Sequence, residues 1–144
     1  MKEIVKPLMQ WYAKHARTLP WRSDPTPYHV WLSEIMLQQT RVEAVIGYYD
    51  RFLEELPDVQ SLAAVSEERL LKLWEGLGYY NRARNLQKAA VQICEQYQGK
   101  FPESYEEWLA LPGIGAYTAG AVTSIAFGKK EAAVDGNVYR IYTR

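Results

Sequence analysis

The stretch Leu111-Pro112-Gly113-Ile114-Gly115-Ala116-Tyr117-Thr118-Ala119-Gly120 restricts this chain more than any other. Just upstream, Ser104-Tyr105-Glu106-Glu107 has the spacing of a capping box, in which the Ser104 hydroxyl meets the Glu107 amide and the Glu107 carboxylate reaches back. That starts a short helix through Trp108, Leu109 and Leu111. Pro112 cannot continue it, and Gly113 and Gly115 permit backbone angles that a side chain forbids. A second helix follows, with Ala116, Ala119, Gly120 and Ala121 small enough for another helix to approach closely. The pattern over 104–127 is therefore helix, two-glycine hairpin, helix. The amides between Gly113 and Tyr117 open a helix N-terminus, where unpaired donors suit an anion. Taken alone, the same residues also describe an ordinary corner between two helices.

Helical spacing of apolar residues extends almost throughout, and nothing alternates with strand period. A first helix is predicted over Lys2 to Ala16. Thr26 followed by Pro27 is a strong helix start, a capping hydroxyl before proline at the first helical position, and that helix should run to about Thr40. Further helices are predicted from Arg41 to Leu56, as a turn from Asp58, from Ser66 to Gly76 and, after the corner Gly76-Leu77-Gly78-Tyr79-Tyr80, from Asn81 to Tyr97. A last helix begins near Asp135 and carries an apolar stripe, Val138, Ile141 and Tyr142, with no stop signal. The chain reads as a single all-α domain over 1–144 and as a fragment of something longer.

The 17 basic and 17 acidic residues balance, which excludes a basic coat protein but not a nucleic-acid partner, because the field depends on where charges cluster. Arg82, Arg84 and Lys88 share one nearly acid-free stretch, whereas Glu54, Glu55, Asp58, Glu67 and Glu68 gather elsewhere, so a basic face and an acidic back are expected. The single cysteine, Cys94, lies on an apolar stripe with Ala90, Val91 and Tyr97 and reads as a buried, inert thiol. It rules out an internal disulfide and a four-cysteine metal or cluster site. His15 and His29 lack metal-ligand spacing, so no metal site is expected. With no signal peptide and no bilayer-length apolar run, the chain reads as cytosolic.

Two carboxylates stand out. Glu34 is the sole acid of an otherwise apolar segment from Tyr28 to Thr40, flanked at helical spacing by Val30, Trp31, Leu37 and Gln38. Lost hydration there raises a carboxyl pKa and lets it hold a proton near neutrality, as a general acid must; a buried ion pair with Arg22 or Arg41 is the alternative. Asp135, before Gly136 and Asn137, has the position of a helix N-cap, and the amides there favour its ionised form. A protonated Glu and an ionised Asp in one cleft is the division of labour of glycosidic cleavage.

The segments Trp31 to Thr40, Trp74-Glu75-Gly76-Leu77-Gly78-Tyr79-Tyr80, Arg82-Ala83-Arg84-Asn85-Leu86, the hairpin and Asp135-Gly136-Asn137-Val138 occur in one order. Together they resemble the adenine DNA glycosylases of the MutY type, within the helix-hairpin-helix DNA glycosylases. The resemblance runs from about Trp11 to the last residue. It implies a helix-hairpin-helix glycosylase domain of the six-helix-barrel type, truncated after the catalytic Asp helix. The implied reaction is base-excision hydrolysis of adenine mispaired with 8-oxoguanine or guanine, leaving an abasic site. Alternatives are an endonuclease III-like glycosylase for damaged pyrimidines and a non-catalytic DNA-binding module.

Residue by residue, the resemblance makes Glu34 the acid that protonates adenine N7, Asp135 the carboxylate that stabilises the oxocarbenium-like sugar, and Asn137 an amide that orients both. Tyr117 stands where endonuclease III relatives carry a Schiff-base lysine, so a hydrolytic and monofunctional route is implied. Gln39 and Tyr79 match residues that wedge into the duplex as adenine turns out. Leu77, Gly113, Ile114, Gly115 and Thr118 fall at DNA-binding positions, and Trp21, Arg22 and Leu37 near the adenine pocket. Trp11, Trp74 and Trp108 read as structural. The family's [4Fe–4S] cluster lacks its cysteines in this sequence, and the family's C-terminal domain that reads oxidised guanine is absent from it. The implied partner is duplex DNA with A:8-oxoG or A:G mispairs, with no membrane, in a bacterial cytoplasm at the nucleoid. Exposed apolar faces of the first and last helices would favour self-association.

Overall fold

The computed structural model describes Pro20 and residues 24–128. The helices expected over Lys2–Ala16 and from Asp135 lie outside these, as do Trp11, Trp21, Arg22, Asp135 and Asn137. The described residues form seven helices and no strand: α1 Pro27–Leu37, α2 Val42–Glu55, α3 Val59–Ala64, α4 Glu67–Trp74, α5 Asn81–Tyr97, α6 Tyr105–Leu109 and α7 Ala116–Phe127.

The starts follow from local chemistry. Thr26 accepts a hydrogen bond from the His29 amide at 3.2 Å with Pro27 in the first turn. Asp58 and Ser61 form a reciprocal capping box, and Ser66 accepts from the Arg69 amide. Each such cap contributes on the order of 1 kcal/mol. Ser104 accepts from the Glu107 amide at 3.2 Å, as its spacing requires, but the Glu107 carboxylate returns to the Ser104 hydroxyl at 2.8 Å.

At the centre lies α1, packed against α7, α2 and α5. Tyr28, Val30, Trp31, Leu32, Ser33, Ile35 and Met36 are all buried, the all-round apolar pattern of a helix with no solvent face. Its N-terminal half rests on an aromatic group. Trp31 meets Trp108 edge-on with centroids 5.8 Å apart, and Phe101 stacks on Trp108 at 5.9 Å. The Trp108 indole donates to the Pro102 carbonyl, and the Tyr28 hydroxyl to the Leu56 carbonyl at 2.6 Å. Burial holds the Tyr28 phenol well above its ordinary pKa. Trp74, fully buried, packs edge-on against Phe52.

The helix α7 fits against α1 because Ala119, Gly120 and Ala121 are small and buried there. Ala116, expected on that packing face, is instead exposed. The predicted segregation of charge also fails. Arg84 pairs with Glu67 at 2.9 Å, Arg69 pairs with Glu55, and Arg82 is drawn inward, so the two signs interleave. Cys94 is only half-buried, with its sulfur 4.0 Å from the Val59 carbonyl oxygen, and desolvation raises its thiol pKa.

Candidate nucleic-acid interface and acid-bearing helix

The hairpin is built by two glycines with different tasks. Gly113 has φ +75°, and a Cβ there would lie 2.8 Å from Cβ of Asn85, so neither the backbone angle nor the space accepts a side chain. Gly115 does not share that constraint. Its φ of −95° and ψ of 177° are ordinary extended backbone, and a Cβ there would meet nothing within 4 Å. The expectation that both glycines relieve forbidden angles therefore holds for Gly113 and is corrected for Gly115, which keeps an open approach to the first amides of α7. Gly115 caps that helix without a side-chain acceptor, and Ala116 and Tyr117 are exposed on its first turn.

Side chains around those amides divide by burial. Ile114 is 8 % exposed and Thr118 2 %, so these two residues pack inward and present little to a partner. Tyr117 is 37 % exposed on the first turn of α7. The Gln38 side-chain amide donates to the Thr118 hydroxyl at 3.5 Å, joining the end of α1 to the start of α7. In the sequence Gln38 is a neighbour of Glu34 at helical spacing, and nothing there points to Thr118, 80 residues on.

The helix α1 stops three residues earlier than its pattern predicts, and Gln39 takes φ +59°. The cause is a tertiary contact. Arg82 Nη1 donates to the carbonyls of Ile35 at 2.8 Å, Met36 at 3.2 Å and also Gln38, where the amides of a further turn would otherwise bind. Its Nη2 donates to the carbonyls of Leu77 and Gly78 in the glycine corner, at 3.3 and 3.2 Å. Desolvation lowers the Arg82 pKa from its ordinary value. Beside this guanidinium, Tyr79 also has a positive φ, +50°, and is 64 % exposed, whereas Leu77 is buried. The two expected wedge residues thus flank one half-buried cation. Its signal in sequence was faint: a cation in the first turn of α5 opposes the helix dipole, which hints at an acceptor from elsewhere.

Glu34 and Leu37 are half-buried on α1, with Trp31 and Ile35 beside Glu34 fully or nearly fully buried. Arg41, one candidate partner from sequence, is exposed at the N-cap of α2. A cleft of about 150 Å³ lies between α1, α5 and the hairpin, walled by Trp31, Ile35, Gln38, Arg82, Asn85 and Gly113 among others. Glu34 is not on its wall. The Trp31 indole N–H and Arg82 Nε are buried without a hydrogen-bond partner. Among the described residues, no group of three or more His, Cys, Asp or Glu side chains could hold a metal ion. A four-thiolate cluster does not fit residues that include one cysteine, packed beside Val59. No helix among the described residues is long and apolar enough to cross a membrane.

Comparison with known proteins agrees with this geometry. The family model described as HhH-GPD superfamily base excision DNA repair protein matches residues 32–144. An adenine DNA glycosylase of Buchnera aphidicola subsp. Baizongia pistaciae is 45 % identical over 138 residues, covering 95 % of this chain and 39 % of the relative. The Homo sapiens adenine DNA glycosylase is 46 % identical over 146 residues, 95 % of this chain and 27 % of the relative. The chain thus spans well under half the length of these curated relatives. Among solved structures, a thermostable thymine-DNA glycosylase superposes with TM-score 0.93 at 32 % identity, over 99 % of this chain and 66 % of that one. A non-covalent endonuclease III–DNA complex gives 0.81 at 28 % identity, over 97 % and 66 %. With the matched model spanning most of its residues, and the two-glycine hairpin seated against α1, this chain belongs to the HhH-GPD superfamily of base excision DNA repair proteins.

Proposed function

We propose that this chain carries the base-excising site of an adenine DNA glycosylase and hydrolyses the N-glycosidic bond of adenine opposite 8-oxoguanine or guanine, leaving an abasic site. The observation that carries this reading is Glu34. It is the only carboxylate of a helix whose surrounding side chains are apolar and mostly buried, three residues before the turn that exposes Gln39. The name adenine DNA glycosylase belongs to relatives identical at 45–47 % across nearly the whole chain. The thymine-DNA glycosylase structure stands at 32 %.

In this reading Glu34 delivers a proton to adenine N7, making the base a neutral leaving group; such an acid contributes roughly 10²–10⁴-fold. Asp135 stabilises the oxocarbenium-like sugar until water adds, and Asn137 orients the two carboxyls. Trp21, Arg22 and Leu37 border the adenine pocket. Tyr117, in place of an amine, directs the reaction to hydrolysis rather than to a Schiff base. The amides between Gly113 and Tyr117 hold a phosphate, and Gln39 and Tyr79 fill the gap left by the extruded base, which requires a few kcal/mol of unstacking. No step calls on a metal or organic cofactor.

Single-turnover incubation with a duplex containing adenine opposite 8-oxoguanine tests the reading, with Glu34→Gln alongside. Adenine release that falls by about 10²-fold or more in the variant supports it. Equal release would remove Glu34 as the acid, and no release from either protein while the duplex still binds favours a DNA-binding module. Borohydride trapping of a lysine adduct would instead favour endonuclease III-like chemistry.

A further inference from the structure

We infer that Arg82 is a positioning residue that locks Gln39 and Tyr79 into one rigid wedge, so that both side chains enter the duplex together. The inference rests on the proposal that these two residues fill the gap beside an extruded base. Its own support is the division of the guanidinium between the two segments. Nη1 holds the carbonyls of Ile35, Met36 and Gln38, the last directly preceding Gln39. Nη2 holds the carbonyls of Leu77 and Gly78, the last directly preceding Tyr79, and reaches the hydroxyl of Thr40 on the far side of Gln39 at 3.3 Å.

The contact continues under Tyr79. The Arg82 amide donates to the Tyr79 carbonyl at 3.0 Å, and the guanidinium carbon lies 5.7 Å from the Tyr79 ring centroid. Trp74 forms the floor, its ring 5.4 Å from that carbon and its indole donating to the Gly78 carbonyl at 3.1 Å. Among the described residues no carboxylate pairs with Arg82, so its charge is met by carbonyl dipoles and aromatic faces. Lysine cannot replace it. A single ammonium offers its donors from one atom, whereas this site uses two nitrogens of a planar fork facing different segments. Both Gln39 and Tyr79 hold left-handed backbone angles, which the anchored carbonyls beside them preserve.

The probe is a duplex with 2-aminopurine opposite 8-oxoguanine, whose fluorescence rises when the base leaves the stack. Wild-type chain at saturation should raise it, and Gln39→Ala and Tyr79→Ala should each cut the extruded population on the order of tenfold. Their double variant should lose little more, as expected of residues acting as a unit. Arg82→Lys should keep its affinity for a fully matched duplex within about twofold, because phosphate contacts carry that binding. It should lose extrusion on the order of tenfold and abolish the non-additivity between positions 39 and 79.

Three results overturn the inference, at different levels. A wild-type chain that gives no rise, or Gln39→Ala and Tyr79→Ala that leave it unchanged, removes the wedge reading and this inference with it. Effects at 39 and 79 with normal extrusion and coupling in Arg82→Lys remove the positioning role alone. If Arg82→Lys does not fold, Thr40→Val keeps the guanidinium and deletes one of its acceptors. Extrusion about threefold lower then supports the role, and an unchanged signal contradicts it.

Discussion

The hairpin and the pair of tips around Arg82 solve the problem of a tight turn in opposite ways. At Gly113 the chain takes a positive φ with a residue that has no side chain to strain or to display. At Gln39 and Tyr79 it takes positive φ with full side chains, in a conformation about 1–2 kcal/mol less favourable for any L-residue, and leaves both exposed. Gln98, the third such residue among those described, has a purely structural explanation as the left-handed cap of α5. Gln39 follows the shortened end of α1, and Tyr79 lies between α4 and α5 where the chain turns. The contrast teaches that one region presents backbone and the other presents side chains. The first suits phosphate, which is the same at every nucleotide; the second suits the interior of a base stack.

Substitution at Gly113 should have the largest effect. Gly113→Val combines a forbidden φ with a Cβ driven into Asn85, and should lower folding stability by about 3 kcal/mol. A urea midpoint shifted by much less would mean that the hairpin backbone is adaptable and the contrast overstated.

Tyr28→Phe is a control in neither region. It deletes the 2.6 Å bond to the Leu56 carbonyl and should cost about 1 kcal/mol with no change in binding to a matched duplex. Its pH dependence has a definite sign. The folded phenol pKa is raised above the unfolded one, so the stabilisation is complete below about pH 10 and is lost as pH rises further. Urea midpoints compared between pH 8 and pH 11 should fall less in Tyr28→Phe than in wild type, and an equal fall would contradict the assignment.

At Tyr79 the expected stability change is close to zero. Glycine relieves the left-handed angle but loses about 0.5–1 kcal/mol in chain entropy. Tyr79→Gly should therefore melt near the wild-type temperature while losing extrusion of 2-aminopurine. A large destabilisation would make Tyr79 part of the fold and erase its distinction from Gly113.

Much of this architecture is legible in the residues. Thr26-Pro27, Asp58, Ser66 and Ser104 announce helix starts, and Pro112 with Gly113 announces the hairpin, because caps and glycine turns are local chemistry. Three features were not. The early end of α1 depends on Arg82, some 44 residues from the carbonyl of Gln38 that it holds. The interleaving of charge depends on Arg84 crossing to Glu67, and the freedom of Gly115 on the space before it. Each is a tertiary fact that periodicity does not carry. Of the proposed acids, Glu34 is seen on a largely buried helix, while Asp135 rests on its resemblance to the family's motif.

The division of labour is tested most directly by duplex affinity as a function of potassium chloride, measured for matched and A:8-oxoguanine duplexes with wild type, Gly115→Val and Tyr79→Ala. Gly115→Val should weaken both duplexes equally, because it blocks the amides proposed to meet phosphate, and should leave the salt slope near wild type, because neutral amides release no counterions. Tyr79→Ala should keep the salt slope and lose the preference for the mispair. If the two variants alter matched-duplex affinity and mispair preference alike, backbone and side-chain presentation are not separate functions of these two regions.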